Sequence, residues 1–265
     1  MSTQQGDIMP LRSIFGAASM NDHEYSHLWV EGGAQFIPRL TSLVGRTGFQ
    51  LNVVDMYPFQ NPEQDVLGQI FMNNQSDKST THNYHVLYSY ILNKLGMEKP
   101  LDVLEVGLGT NNPALVSSMG EHGRPGASLY SFREYLPNAS IYGADIDKDI
   151  LFEDTRIKTA FVDQMKLDTF REMHATLGVD KYDLIIDDGL HSIGANFNTM
   201  TYALDHLKED GWFVVEDIGK SVFDHWTAID YIVKGIPNLE TFMVKTTGGY
   251  LYQNDSYMYA VHKKS

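Results

Sequence analysis

The sequence predicts an α/β protein: a doubly wound, mostly parallel seven-stranded sheet with helices on both faces, preceded by an N-terminal accessory segment. Three observations carry this. From Tyr84 onward, short apolar runs of strand length alternate with stretches of helical periodicity, as parallel pairing through helical crossovers requires. The first of those runs ends in the glycine turn Gly107-Leu108-Gly109. Later runs end in acidic residues, which places polar groups at the carboxyl edge where doubly wound sheets take their ligands.

Taken in order, Tyr84–Leu95 has apolar residues on helical spacing and stops at Gly96. Strands are expected at 101–106, 141–145, 157–162, 182–187 and 212–216, with helices at 128–135, 167–177, 195–207 and 222–233. A final antiparallel pair, 240–245 and 257–262, is joined by Thr246-Thr247-Gly248-Gly249. Residues 1–80 read as a cap or accessory segment and 81–265 as the catalytic domain. Within the first part, periodicity is poor: 50–56 has strand character, while Asn61-Pro62 and the polar run 73–81 read as turns or loops.

Composition narrows the function. Twenty basic against 34 acidic residues leave a net charge of −14, which disfavours non-specific attraction to nucleic acid or anionic membrane. A small-molecule partner is expected, and a homo-oligomer is open. With no cysteine, disulfides, thiolate metal ligands and a cysteine nucleophile are excluded. No secretory signal pattern opens the chain and no apolar run reaches membrane-spanning length, so a cytoplasmic location is expected.

The glycines after the first strand let a ligand approach the backbone. A dinucleotide fingerprint is a poor fit, because Asn112 stands at its third glycine and the next strand's acid, Asp145, comes too late in the chain. A cofactor without a pyrophosphate fits better. Asp145 can accept from both hydroxyls of a ribose, and Asp163 sits where it could meet an adenine edge. Glu105, an acid inside an apolar strand, needs a partner; it either orients the glycine loop or reaches the cofactor.

Strands four and five deliver Asp188, Glu216 and Asp217 to one edge. Three converging carboxylates call for a positive charge, most simply Mg²⁺, with Mn²⁺ and Ca²⁺ open. His191, close behind Asp188, has a side chain suited to proton transfer near neutrality; ligation or a loop hydrogen bond are its other readings. Asp187 suits a supporting role behind the ligands, and His82 and His225 are weaker pocket candidates.

These residues resemble the class I S-adenosylmethionine (SAM) methyltransferases, and within them the metal-dependent O-methyltransferases that act on sugar hydroxyls of macrolides and related natural products. The resemblance runs over about 76–262, through Ser76-Asp77-Lys78 with His82 and Tyr84, Glu105-Val106-Gly107, Pro125-Gly126-Ala127-Ser128-Leu129, Gly143-Ala144-Asp145-Ile146-Asp147, Val162-Asp163-Gln164, Asp187-Asp188-Gly189-Leu190-His191 and Val215-Glu216-Asp217. It implies that Asp145 holds the SAM ribose; Glu105, Gly107, Gly109, Asp163, Gln164 and Asp187 are the further candidate SAM contacts. It also implies Mg²⁺ on Asp188, Glu216 and Asp217, with His191 as general base. Leu190 stands where the family has serine, and the glycine loop is less glycine-rich than in relatives. Other readings are an amine or carboxylate acceptor, a metal-dependent sugar-modifying hydrolase, or a catalytically silent scaffold.

Overall fold

Strand and helix alternate through the chain in a computed structural model that describes residues 38–247 and 256–265. The elements in order are β1 (Val53–Asp55), α1 (Gln64–Asn73), α2 (Tyr84–Leu95), β2 (Asp102–Val106), α3 (Ala127–Tyr135), β3 (Ser140–Asp145), β4 (Glu153–Asp154), β5 (Ile157–Phe161), α4 (Leu167–Leu177), β6 (Tyr182–Asp187), α5 (Ile193–His206), β7 (Leu207–Gly219), α6 (Phe223–Val233), β8 (Leu239–Lys245) and β9 (Ser256–Lys263). One sheet collects all the strands in the order β1-β8-β9-β7-β6-β2-β3-β5-β4.

That sheet has nine strands, not seven. All seven expected strands are present, and two short edge strands extend them. β1 lies parallel to β8, pairing Val53 with Met243 and Asp55 with Lys245. β4 adds two residues antiparallel to β5 at the other edge. A helix, α1, also stands where no element was expected. The turn at Gly248-Gly249, the opening residues and the tyrosine and tryptophan upstream of residue 38 lie outside the described residues.

Side-chain alternation builds two cores, one on each face. Val103, Leu184, Ile186, Trp212 and Val214 pack under α1, α2 and α3 with Leu67, Phe71, Ile91 and Phe132. Their immediate neighbours Leu104, Ile185, Phe213 and Val215 face the other way, onto Phe170, Met173, Met200 and Trp226 of α4, α5 and α6. This is the period-2 geometry of a strand buried on both faces. α2 forms because Tyr84, Leu87, Tyr88, Ile91, Leu92 and Leu95 share a buried stripe. Gly96 stops it at φ +96°, with its N–H on the Leu92 carbonyl.

β2 lies between β3 and β6, so the crossovers leave it in opposite directions and open a crevice beyond its carboxyl end. Val106 is in register with Asp187, which sets the glycine turn beside the Asp188 loop. β7 carries an irregularity in its pairing with β9 between Val215 and Ile218. Bulges of this kind re-aim side chains at sites, and here the two residues spanned are Glu216 and Asp217.

On the outer side of α2, His85 packs against Gly68 of α1. Burial lowers its pKa from the ordinary histidine value, against smaller opposing effects of the Lys78 carbonyl and Asp65. The unfolded chain therefore binds this proton first as pH falls, and stability drops as pH descends through the ordinary histidine range. His85→Gln should flatten the fall in urea midpoint between about pH 7.5 and 5.5; an unchanged slope would remove His85 from the acid response.

Candidate functional site

The glycine turn is built for close approach. Gly107 has φ +98°, and a Cβ there would lie 2.0 Å from the Asp188 carbonyl oxygen. Its own N–H bonds the Ala144 carbonyl at 2.8 Å, while Asp188 N bonds the Val106 carbonyl at 2.8 Å. Gly109, at φ +75°, is closed over by Met119. These strand-end bonds lock two loops side by side at the floor of a cavity of about 890 Å³. Its lining includes Lys78, His82, Gly107, Gly109, Asp145, Asp163, Gln164, Asp188, His191 and Asp217.

At the cofactor side, Asp145 is nearly buried and accepts from Leu108 N at 2.7 Å and from Asp147 N at 2.8 Å. Burial raises its pKa, and those backbone donors oppose the rise. Asp163 is held low chiefly by its hydrogen bond with Lys166, which outweighs an opposing effect of burial, with a smaller contribution from the Met165 N–H. Gln164 gives its amide to Asp187 at 2.8 Å and accepts from Leu190 N at 2.8 Å. Asp187 is fully buried and also accepts from Asn196 at 3.0 Å. Gln164 and Asp187 thus brace the Asp188–His191 loop from behind.

Lys78 stands at the centre of the acid cluster. Its ammonium lies 2.6 Å from Glu216 Oε2, 2.7 Å from Asp188 Oδ2 and 3.1 Å from Glu105 Oε1, with its side chain 2% exposed. Burial alone would favour the neutral amine, but Asp188, Glu216 and Glu105 outweigh it and hold the pKa well above the ordinary lysine value. Glu105 also accepts from Ser128, and Glu216 from the Tyr88 hydroxyl. Burial, followed by the charge of Asp188, pushes Glu216 well up. Against burial, Lys78 and His191 hold Asp188 below the ordinary aspartate value. Three carboxyl groups thus share one ammonium, and burial opposes full negative charge on Glu105 and Glu216.

Nearer the solvent, Asp188, His191 and Asp217 each bring a ligand atom within 4.8 Å of the other two. His191 Nε2 is 4.0 Å from Asp217 Oδ2, and His82 Nε2 is 3.9 Å from Asp217 Oδ1. Tyr84 donates to Asp217 Oδ1 at 2.8 Å; burial followed by the charge of Asp217 keeps that phenol protonated. His191 and Asp217 both adopt left-handed backbone, φ +53° and +56°. Non-glycine residues in that region store strain, which clusters at functional sites. Glu216 lies deeper than this group, between Lys78 and Tyr88, and does not line the cavity. His225 does not line it either.

Comparison with known proteins begins with a negative: no family model matches the chain. Among curated proteins, it is 26% identical over 163 residues to the Streptomyces olivaceus 8-demethyl-8-alpha-L-rhamnosyl tetracenomycin-C 2'-O-methyltransferase, covering 61% of this chain and 39% of that protein. It is 33% identical over 127 residues to demethylmacrocin O-methyltransferase of Streptomyces fradiae, covering 48% and 28% respectively. The chain thus spans well under two thirds of the length of these relatives. Among solved structures, a methyltransferase of the mycinamycin biosynthetic pathway in complex with Mg and SAH aligns with TM-score 0.56 and 21% identity, over 75% of this chain and 54% of that one. The fold is that of the SAM-dependent methyltransferases.

Over these lengths the chain is similar to sugar O-methyltransferases. No helix among the described residues is long and apolar enough to cross a membrane. The residue that sequence reasoning passed over is Lys78, together with the Tyr84 and Tyr88 hydroxyls. A signal was present: several acids predicted at one edge demand a cation, and Lys78 belongs to the motif that precedes His82.

Proposed function

We propose that the protein transfers a methyl group from SAM to a hydroxyl of a glycosylated small molecule, with Mg²⁺ at Asp188 and Asp217. The meeting of Asp188, His191 and Asp217 beside a glycine-floored cavity carries this reading, and the similarity to sugar O-methyltransferases supports it. The residues suit both groups. Gly107 and Gly109 offer backbone without Cβ atoms to a SAM chain, and Asp145 and Asp163 bracket the ribose and adenine side. Asp188 and Asp217 offer oxygen donors suited to a hard cation, whereas both Glu216 oxygens are engaged by Lys78 and Tyr88.

When bound, SAM supplies an electrophilic methyl carbon on sulfonium sulfur and Mg²⁺ supplies the charge that acidifies and orients a hydroxyl. The chain's own residues do the rest. Asp217 sits between His82 and His191 and steadies both rings. His191 accepts the acceptor hydroxyl's proton on an imidazole nitrogen. SAM held along Gly107, Gly109 and Asp145 would supply the methyl group to the acceptor oxygen and retain the C–S bonding pair, giving a methyl ether and S-adenosylhomocysteine. Lys78 keeps Asp188 ionised and aimed at the cavity. Leu190, in place of a hydroxyl residue, presents an apolar wall.

Methyl-labelled SAM with a panel of glycosylated acceptors tests this directly. Transfer should vanish on chelation and return with Mg²⁺. Transfer that survives chelation would take the metal out of the reaction, and absence of saturable SAM binding would exclude methyl transfer altogether.

A further inference from the structure

A second cluster of metal-ligating side chains lies away from this crevice, at the C-terminal ends of α4 and α5. His174 is in the last turn of α4, His206 closes α5, and Asp180 lies in the loop between α4 and β6. One ligand atom from each falls within 4.8 Å of the other two. The imidazole centroids are 4.5 Å apart. Two imidazoles bonded tetrahedrally to one ion at about 2.0–2.1 Å would have their centres roughly 5 Å apart, so the rings stand within about 1 Å of the spacing for a shared ion.

Their orientation is also set. His206 Nδ1 lies 2.8 Å from the Asp180 carbonyl oxygen. A carbonyl only accepts, so the proton is on Nδ1 and the Nε2 lone pair is free. Metal-bound histidines commonly hold their second nitrogen in this manner. His174 Nδ1 lies 3.3 Å from the Tyr202 hydroxyl, which steadies the other ring. Burial, followed by His206, lowers the His174 pKa. Two helix C-termini also bring their partial negative charge to the same place.

We propose that His174, His206 and Asp180 form a structural site for a borderline divalent ion such as Zn²⁺, separate from the catalytic carboxylates. Two imidazoles and one carboxylate suit Zn²⁺, Ni²⁺ or Cu²⁺ over Mg²⁺, which prefers an all-oxygen shell. The ion ties the loop after α4 to the end of α5. The opposite ends of these helices adjoin Gln164 and His191, so it stiffens the supports of the crevice without touching the chemistry.

The site is read with Zn²⁺ titrated into the full chain carrying Asp217→Asn, which removes a donor from the crevice cluster. This protein should bind one equivalent in the micromolar range and gain thermal stability, with Mg²⁺ at the same concentration producing no such gain. Adding His206→Gln should weaken binding at least about ten-fold and abolish the gain. Asp180→Asn, on an exposed loop, should also weaken it and cannot be dismissed as a core defect. Binding that is absent in Asp217→Asn, unchanged by both further substitutions, or matched by Mg²⁺ overturns the proposal.

Discussion

Lys78→Met is expected to destabilise the fold by about 3–5 kcal/mol, the cost of breaking a buried ion pair by removing one partner. Methionine preserves much of the volume, so packing loss contributes little. What remains is Glu105, Asp188 and Glu216 around a position that has lost its ammonium. Glu105 and Glu216 are fully buried, and Ser128 and Tyr88 satisfy only part of their oxygens. The expected result is a urea midpoint well below wild type, with partial recovery on adding Glu216→Gln, which removes one of the stranded charges. Equal midpoints for Lys78→Met and wild type would mean that the cluster is neutralised some other way.

His191→Asn should lower turnover by about 10²–10⁴-fold, the range for losing a positioned general base. Asparagine is chosen because the position has φ +53°, and asparagine tolerates left-handed backbone better than most residues. The loop should therefore keep its shape while losing an imidazole. Binding of S-adenosylhomocysteine, read by calorimetry, should stay within a few-fold of wild type, because the cofactor contacts proposed at Gly107, Gly109 and Asp145 are untouched. Near-normal turnover would end the assignment of His191 as base. A parallel loss of cofactor binding would reassign it to loop structure.

Elements with strong periodicity were legible from the chain alone. The apolar runs of β2, β3, β5, β6 and β7 fall where expected because both faces of each are covered, and their ends differ by a few residues where strands extend into polar positions, as at Leu207–Gly211. α1 was not legible. Only Leu67 and Phe71 are buried on it, while Val66 and Met72 are exposed and Gly68 interrupts, so its pattern is mixed. β4 consists of two exposed acids and carries no hydrophobic signal.

In the site, Asp188 directly follows the end of β6, His191 comes shortly after it, and Asp217 lies at the irregularity inside β7, so strand-end reasoning brought these three to attention. Lys78 was hidden in a polar run, where a lysine ordinarily signifies solvent. Only the tertiary placement of Glu216, Asp188 and Glu105 around it gives that residue its role. The same placement explains why Glu216 is deep and Asp217 shallow: the irregularity in β7 turns consecutive residues toward different depths.

The pairing of β1 with β8 has a kinetic consequence. It joins residue 53 to residue 243, so almost the whole described chain must be gathered before that edge can close. Non-local contacts of this kind meet their entropic cost before they return any stabilisation. The edge strand should dock late in refolding, after the glycine turn and its neighbouring strands have formed, and it should be among the first parts to release when the protein opens.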